Sequence, residues 1–169
     1  MQNLWAPWRM TYILGEDKQA QSRDCIFCVG EGRTGPDKQR LVLSAGRHTM
    51  VMMNRYPYNN NHLLVAPRRH VPDLGALSPE EMTDLMIRIR DCVEIIQRQA
   101  RPDGFNVGLN LGRPAGAGVE SHLHFHVVPR WNGDTNFMTV LADVRVVPEH
   151  IEATFDRLVP FFQAREDEK

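Results

Sequence analysis

Apolar and polar positions fall into short, regular runs from Arg40 onward. Leu41-Val42-Leu43 and Thr49-Met50-Val51-Met52-Met53 predict two strands joined by a turn at Ala45-Gly46. Leu63-Leu64-Val65-Ala66 is a third apolar run, closed by Pro67. A helix follows. Ser78-Pro79-Glu80-Glu81 combines an N-cap serine, a proline at the first helical position and a glutamate at the third. Met82, Leu85, Met86, Ile89, Val93 and Ile96 then recur at helical spacing and predict one buried face. Arg101-Pro102-Asp103-Gly104 ends it. Phe105 to Asn110 alternates as a strand, Gly112 to Gly118 reads as a loop, and His122 to Val128 is the next strand. Val140 to Val147 predicts one more strand, and Glu149 to Gln163 a terminal helix.

Hairpin-linked strands with one long helix define an α+β class, an antiparallel sheet carrying that helix and a C-terminal one. A length of 169 residues suits a single domain. Its expected parts are an irregular N-terminal segment over 1–38, a core over 39–147 and a C-terminal helix and tail over 148–169.

Charge narrows the partners. Lys plus Arg number 20 against 21 Asp plus Glu, which argues against electrostatic binding of nucleic acid but leaves room for a local phosphate pocket. No run approaches the roughly 18 apolar residues of a membrane span. The opening MQNLWAPWRM lacks the unbroken apolar stretch of a signal peptide. Three cysteines make a poor disulfide framework, so the expected compartment is a reducing cytoplasm.

The chemistry concentrates in Ser121-His122-Leu123-His124-Phe125-His126-Val127-Val128. Alternation on a strand places His122, His124 and His126 on one face, and Leu123, Phe125 and Val127 on the other. Side chains two residues apart stand roughly 6.5–7 Å from each other, so neighbouring rings can serve one phosphate or one metal. A solvated strand face and a three-histidine metal site are the competing readings; the second is hard to build from a single strand. The loop Gly112 to Gly118 suits close approach of backbone N–H groups to phosphate, or is a plain turn. Cys25-x-x-Cys28 is half a zinc site, or two reduced thiols, or a redox pair.

His122-Leu-His124-Phe-His126-Val-Val resembles the signature of the histidine-triad family. Asn54-Arg55-Tyr56-Pro57 and His62 to Pro67 sit where that family has its nucleotide-binding strand pair. Leu4 to Met10, Gly104 to Gly112 and Val128 to Phe137 are similar to its bacterial diadenosine tetraphosphate phosphorylase branch. The resemblance implies a histidine-triad fold and a nucleotidyl transferase or hydrolase acting on dinucleoside polyphosphates. A covalent nucleotidyl-histidine would form on His124, with His126 donating to the α-phosphate oxygens and His62 supporting the site. Asn54, Asn110, Gly116 and Gly118 are then candidates for nucleotide and phosphate binding. Cys25, Cys28, His70 and His122 become the ligands of a structural zinc. The resemblance also implies a homodimer and no organic cofactor.

Two departures from the family stand out. Asn59-Asn60-Asn61 precedes His62 where relatives usually have Pro-Gly-His. Gly118 and Val119 replace the Gln and Ser common in hydrolase and phosphoramidase branches. The second departure favours phosphate over water as acceptor. Hydrolysis of dinucleoside polyphosphates, cleavage of nucleoside phosphoramidates, and a nucleotide-binding regulator with little turnover are the alternatives.

Overall fold

A computed structural model describes residues 25–28, 34–134 and 149–167, with side chains in the last stretch to 165. The expected strand over 140–147, most of the irregular segment over 1–38 and the motif residues 4–10 and 135–137 lie outside the described residues. Strands β1 (Val42–Ala45), β2 (Thr49–Met53) and β3 (Leu63–Pro67) precede helix α1 (Pro79–Ala100). Then come β4 (Gly104–Leu109), β5 (Phe125–Arg130) and helix α2 (Ile151–Asp167). The five strands form one antiparallel sheet in the order β1-β2-β3-β5-β4. The α+β architecture expected from the pattern is the one observed. No described helix is long and apolar enough to cross a membrane.

Local sequence starts α1. The Ser78 hydroxyl accepts from Glu81 N at 3.3 Å, while the Glu81 carboxylate accepts from Ser78 N at 2.8 Å. This reciprocal cap satisfies two otherwise orphaned donors. The helix ends at Arg101, whose φ of 46° is left-handed.

The buried face of α1 differs from the expected one. Leu85, Ile89, Cys92 and Ile96 are buried, whereas Met82 and Met86 are 48% and 59% exposed. Both stripes have helical spacing and share Leu85, Ile89 and Ile96. The sheet selects between them, and the stripe containing Cys92 meets it. Leu43, Val51, Val65 and Val127 supply the sheet side of this core, and Phe155, Leu158 and Phe162 of α2 close it.

The sheet's other face is also covered. Phe27 packs there with Val42, Met50, Met52, Leu64 and Ala66. Residues of β1, β2 and β3 are therefore buried at every position, which explains why they read as continuous apolar runs rather than as alternation.

Strand β5 begins at Phe125, three residues later than the expected His122. Its partner strand explains the delay. Pro67 closes β3 and has no N–H to extend the ladder. The chain before β5 is pinned instead by His122 Nε2 to the Pro67 carbonyl at 2.8 Å and by Leu123 N to the Val71 carbonyl at 2.7 Å. Helix α2 runs to Asp167, beyond the expected end at Gln163, with Pro160 inside it.

Candidate active site

The three triad histidines do not share one environment. Only His126 lies within β5, opposite Leu64 on β3 and Gly108 on β4. His124 and His122 sit on the pinned segment just before it. The rings of His124 and His126 are nonetheless 5.1 Å apart, and His62 is 5.1 Å from His126 on the other side. The structure thus gathers His62, His124 and His126 in a row.

Hydrogen bonding fixes the protons on these rings. His124 Nδ1 lies 2.9 Å from the His122 carbonyl, which can only accept, so Nδ1 carries the hydrogen. In the neutral ring the lone pair is then on Nε2. Burial favours that neutral form: it pushes the His124 pKa below the usual imidazole value, and the bond to the His122 carbonyl opposes the shift. Phe27 stacks on the same ring at 4.8 Å.

His62 is 1% exposed and stands just ahead of β3. Its Nδ1 receives the backbone N–H of Tyr58 at 3.0 Å, so Nδ1 is unprotonated and Nε2 holds the hydrogen. That hydrogen is donated to His126 Nδ1 at 2.9 Å. His126 is left with its own N–H at Nε2. A backbone amide thereby sets the tautomers of two rings in series. Tyr58 also packs against both, at 4.7 Å from His62 and 5.7 Å from His126.

A second cluster joins Cys25, Cys28, His70 and His122, whose ligand atoms all lie within 4.8 Å of one another. Cys25 Sγ is 3.4 Å and Cys28 Sγ 3.8 Å from His122 Nδ1, and Cys28 Sγ is 3.3 Å from His70 Nδ1. Sulfur and nitrogen ligands of a tetrahedral zinc stand about 3.5 Å apart, given bonds of about 2.3 and 2.0 Å. The donors fit. The Pro67 carbonyl orients His122 in the manner of an outer-shell partner: holding the hydrogen on Nε2 turns the Nδ1 lone pair toward the thiols. Burial pushes the Cys25 thiol up, a shift that a bound cation reverses. This group could therefore hold a metal ion. The cysteines are free, and no disulfide joins them.

The remaining sequence candidates take supporting positions. Asn54 brings its Nδ2 within 3.3 Å of His62 Nδ1 and accepts from Tyr56 N at 3.0 Å. Asn110 donates to the Gly116 carbonyl at 3.3 Å and so braces the glycine loop. Gly112 and Gly116 adopt φ values of 77° and 91°, which glycine tolerates without strain. Gly118 lies at the end of that loop, four residues before His122. His150 is exposed and His48 half-buried, and neither joins the row.

Sequence reading missed Phe27, Tyr58 and the asparagine contacts around His62. Phe27 sits inside the Cys-x-x-Cys motif, which hints that it travels with the thiols. Tyr58 carries no such signal.

A row of histidines on a five-stranded antiparallel sheet, read with the family match, defines the class. The chain belongs to the HIT domain family, whose profile matches residues 37–133. Over 157 residues, 91% of this chain and 80% of the relative, it is 38% identical to a Mycobacterium tuberculosis protein described as AP-4-A phosphorylase. A Zn-bound histidine triad family protein from Mycobacterium smegmatis shares the fold, with a TM-score of 0.63 and 23% identity. That match covers 86% of this chain and 98% of the other. A hypothetical histidine triad nucleotide-binding protein from Sulfolobus tokodaii shares it too, with a TM-score of 0.64 at 22% identity, over 84% and 94% of the two chains.

Proposed function

We propose that the chain is a nucleotidyl transferase that phosphorolyses dinucleoside polyphosphates such as diadenosine tetraphosphate. The observation that carries this reading is the His124 Nδ1 bond to the His122 carbonyl, 2.9 Å long, which aims the lone pair of a neutral ring from Nε2. In the first step Nε2 attacks the α-phosphorus. The P–N bond forms, the P–O bond to the departing nucleoside polyphosphate breaks, and ATP leaves from diadenosine tetraphosphate. His126, with its hydrogen on Nε2, donates to the phosphate oxygens where negative charge shifts. In the second step an oxygen of inorganic phosphate attacks the nucleotidyl-histidine. The P–N bond breaks and ADP is released.

Two facts support phosphate rather than water as acceptor. Gly118 puts no side chain where related hydrolases place Gln. The relative that is 38% identical over nearly the whole chain is described as a phosphorylase. Asn110 would brace the loop containing Gly116 and Gly118 around the phosphates, and Asn54 would hold His62 in place.

In this reading Cys25, Cys28, His70 and His122 hold a zinc that ties the 25–28 loop to the sheet and supplies no reacting atom. Free cysteines suit a reducing cytoplasm. The edge strand β4, with Val107 46% exposed, and the exposed Met82 and Met86 of α1 offer the surface of a homodimer.

Incubating diadenosine tetraphosphate with and without phosphate tests the reaction. ADP and ATP appearing only with phosphate is the expected result. AMP formed regardless of phosphate would replace phosphorolysis by hydrolysis, and tight binding without turnover would leave a nucleotide-binding regulator.

A further inference from the structure

We propose that Arg157, on the C-terminal helix α2, is a positioning residue for the His62–His126 pair and acts on it through Asn61. The proposal rests on the reading of His126 as the donor to phosphate.

Asn61 immediately precedes His62, is 3% exposed and has a φ of 58°. That left-handed conformation favours glycine, and asparagine is among the few residues that also adopt it. With Asn in place, the turn keeps its path and gains a side chain that can be gripped. Arg157 Nη2 donates to Asn61 Oδ1 at 2.8 Å.

The grip is itself anchored. Arg157 Nε and Nη2 reach the two oxygens of Glu149 at 3.1 and 2.5 Å. The buried Thr154 hydroxyl donates to the same carboxylate at 2.8 Å. The arginine holds the Glu149 carboxyl charged, with its pKa lowered to about 2. At the other end of the turn, Asn59 Nδ2 donates to Asp134 at 2.8 Å and to the Pro129 carbonyl at 3.2 Å. Three asparagines are therefore clamped from both sides directly ahead of His62.

His62 Nε2 must meet His126 Nδ1 for the second ring to keep its hydrogen on Nε2. Whatever places Asn61 places that contact. The family profile ends at residue 133, and α2 starts at Ile151. The Arg157–Glu149 side of the clamp comes from outside the matched segment.

Asn61→Gly and Arg157→Met test the clamp. Glycine keeps the left-handed turn and deletes only the gripped side chain, so this variant is expected to fold. A shift of about 1 Å near the chemistry can cost about 100-fold, and loosening one anchor is expected to lower kcat about tenfold with KM within about twofold. The decisive measurement is the nitrogen-15 spectrum of the histidines. In the wild type His62 and His126 should both show protonated Nε2 and bare Nδ1. In Asn61→Gly, His126 should drift toward mixed tautomers, and Arg157→Met should reproduce the change. An unchanged His126 signature in a folded Asn61→Gly variant overturns the proposal, whatever its rate. Should the wild type fail to turn over diadenosine tetraphosphate, the reading of the reaction falls, while the spectra still decide the clamp.

Discussion

Replacing Phe27 by alanine tests whether the Cys25–Cys28 loop is seated on the sheet. Phe27 is 1% exposed and packs on Val42, Met50, Met52, Leu64 and Ala66. It also stacks on His124 at 4.8 Å and lies 5.2 Å from His122. Truncating a buried phenylalanine to alanine costs about 3–5 kcal/mol from lost transfer energy and the cavity left behind. Aromatic stacking accounts for about 0.5–1.5 kcal/mol of interaction beyond area. A value near 4 kcal/mol corresponds to a fall in Tm of roughly 10 °C for a chain of this size. Urea unfolding of wild type, Phe27→Ala and Phe27→Leu should be run with zinc and again with a chelator, because a bound metal adds its own stabilisation. Phe27→Leu retains most of the volume and should lose roughly 1–2 kcal/mol. The zinc-to-chelator difference should also shrink in Phe27→Ala, since the ring and the thiols hold the same loop. A loss below about 1 kcal/mol for Phe27→Ala in both conditions would refute the reasoning. It would mean that the ring does not cover the sheet in solution.

Two further outcomes follow from other contacts. His124→Ala should lower turnover by orders of magnitude while nucleotide binding, followed by calorimetry, stays within a few-fold, because the change deletes the proposed nucleophile and leaves the pocket; substantial residual activity would remove His124 from the reaction. Hydrogen bonding from Arg69 lowers the Glu81 pKa to about 2, so the folded state favours the charged carboxylate. Its contribution to stability is complete above the ordinary value near 4.5 and is lost as pH falls toward about 2. Glu81→Gln should flatten the acid limb of the urea midpoint between those values, and an unaltered limb would show that the pair contributes nothing there.

What was legible in the sequence was what local chemistry decides. Ser78-Pro79-Glu80-Glu81 announces the start of α1 because its cap is built from four consecutive residues. Thr49 to Met53 is a strand wherever its partners lie. The histidine row and the Cys25, Cys28, His70 and His122 group followed from the family resemblance, and the structure brings both sets together. What stayed hidden depends on contacts between distant parts. Met82 and Met86 have as good a claim to the buried helical face as Cys92 until the sheet selects the stripe through Cys92. The late start of β5 depends on Pro67, some 55 positions away. Tyr58 and Arg157 matter through a backbone amide and a single amide oxygen, which leave no periodicity to read.

His122 has two jobs, and different atoms perform them. Its ring faces the thiols, while its carbonyl holds the proton of His124. Any amino acid has that carbonyl. Descendants of this chain can therefore abandon the cysteine–histidine cluster, substituting position 122 with the rest, and keep the main-chain group that leaves His124 Nε2 bare, provided the Leu123 N–H to Val71 carbonyl bond still pins the segment. The scaffold and the reaction can drift apart in evolution even though they meet at a single residue.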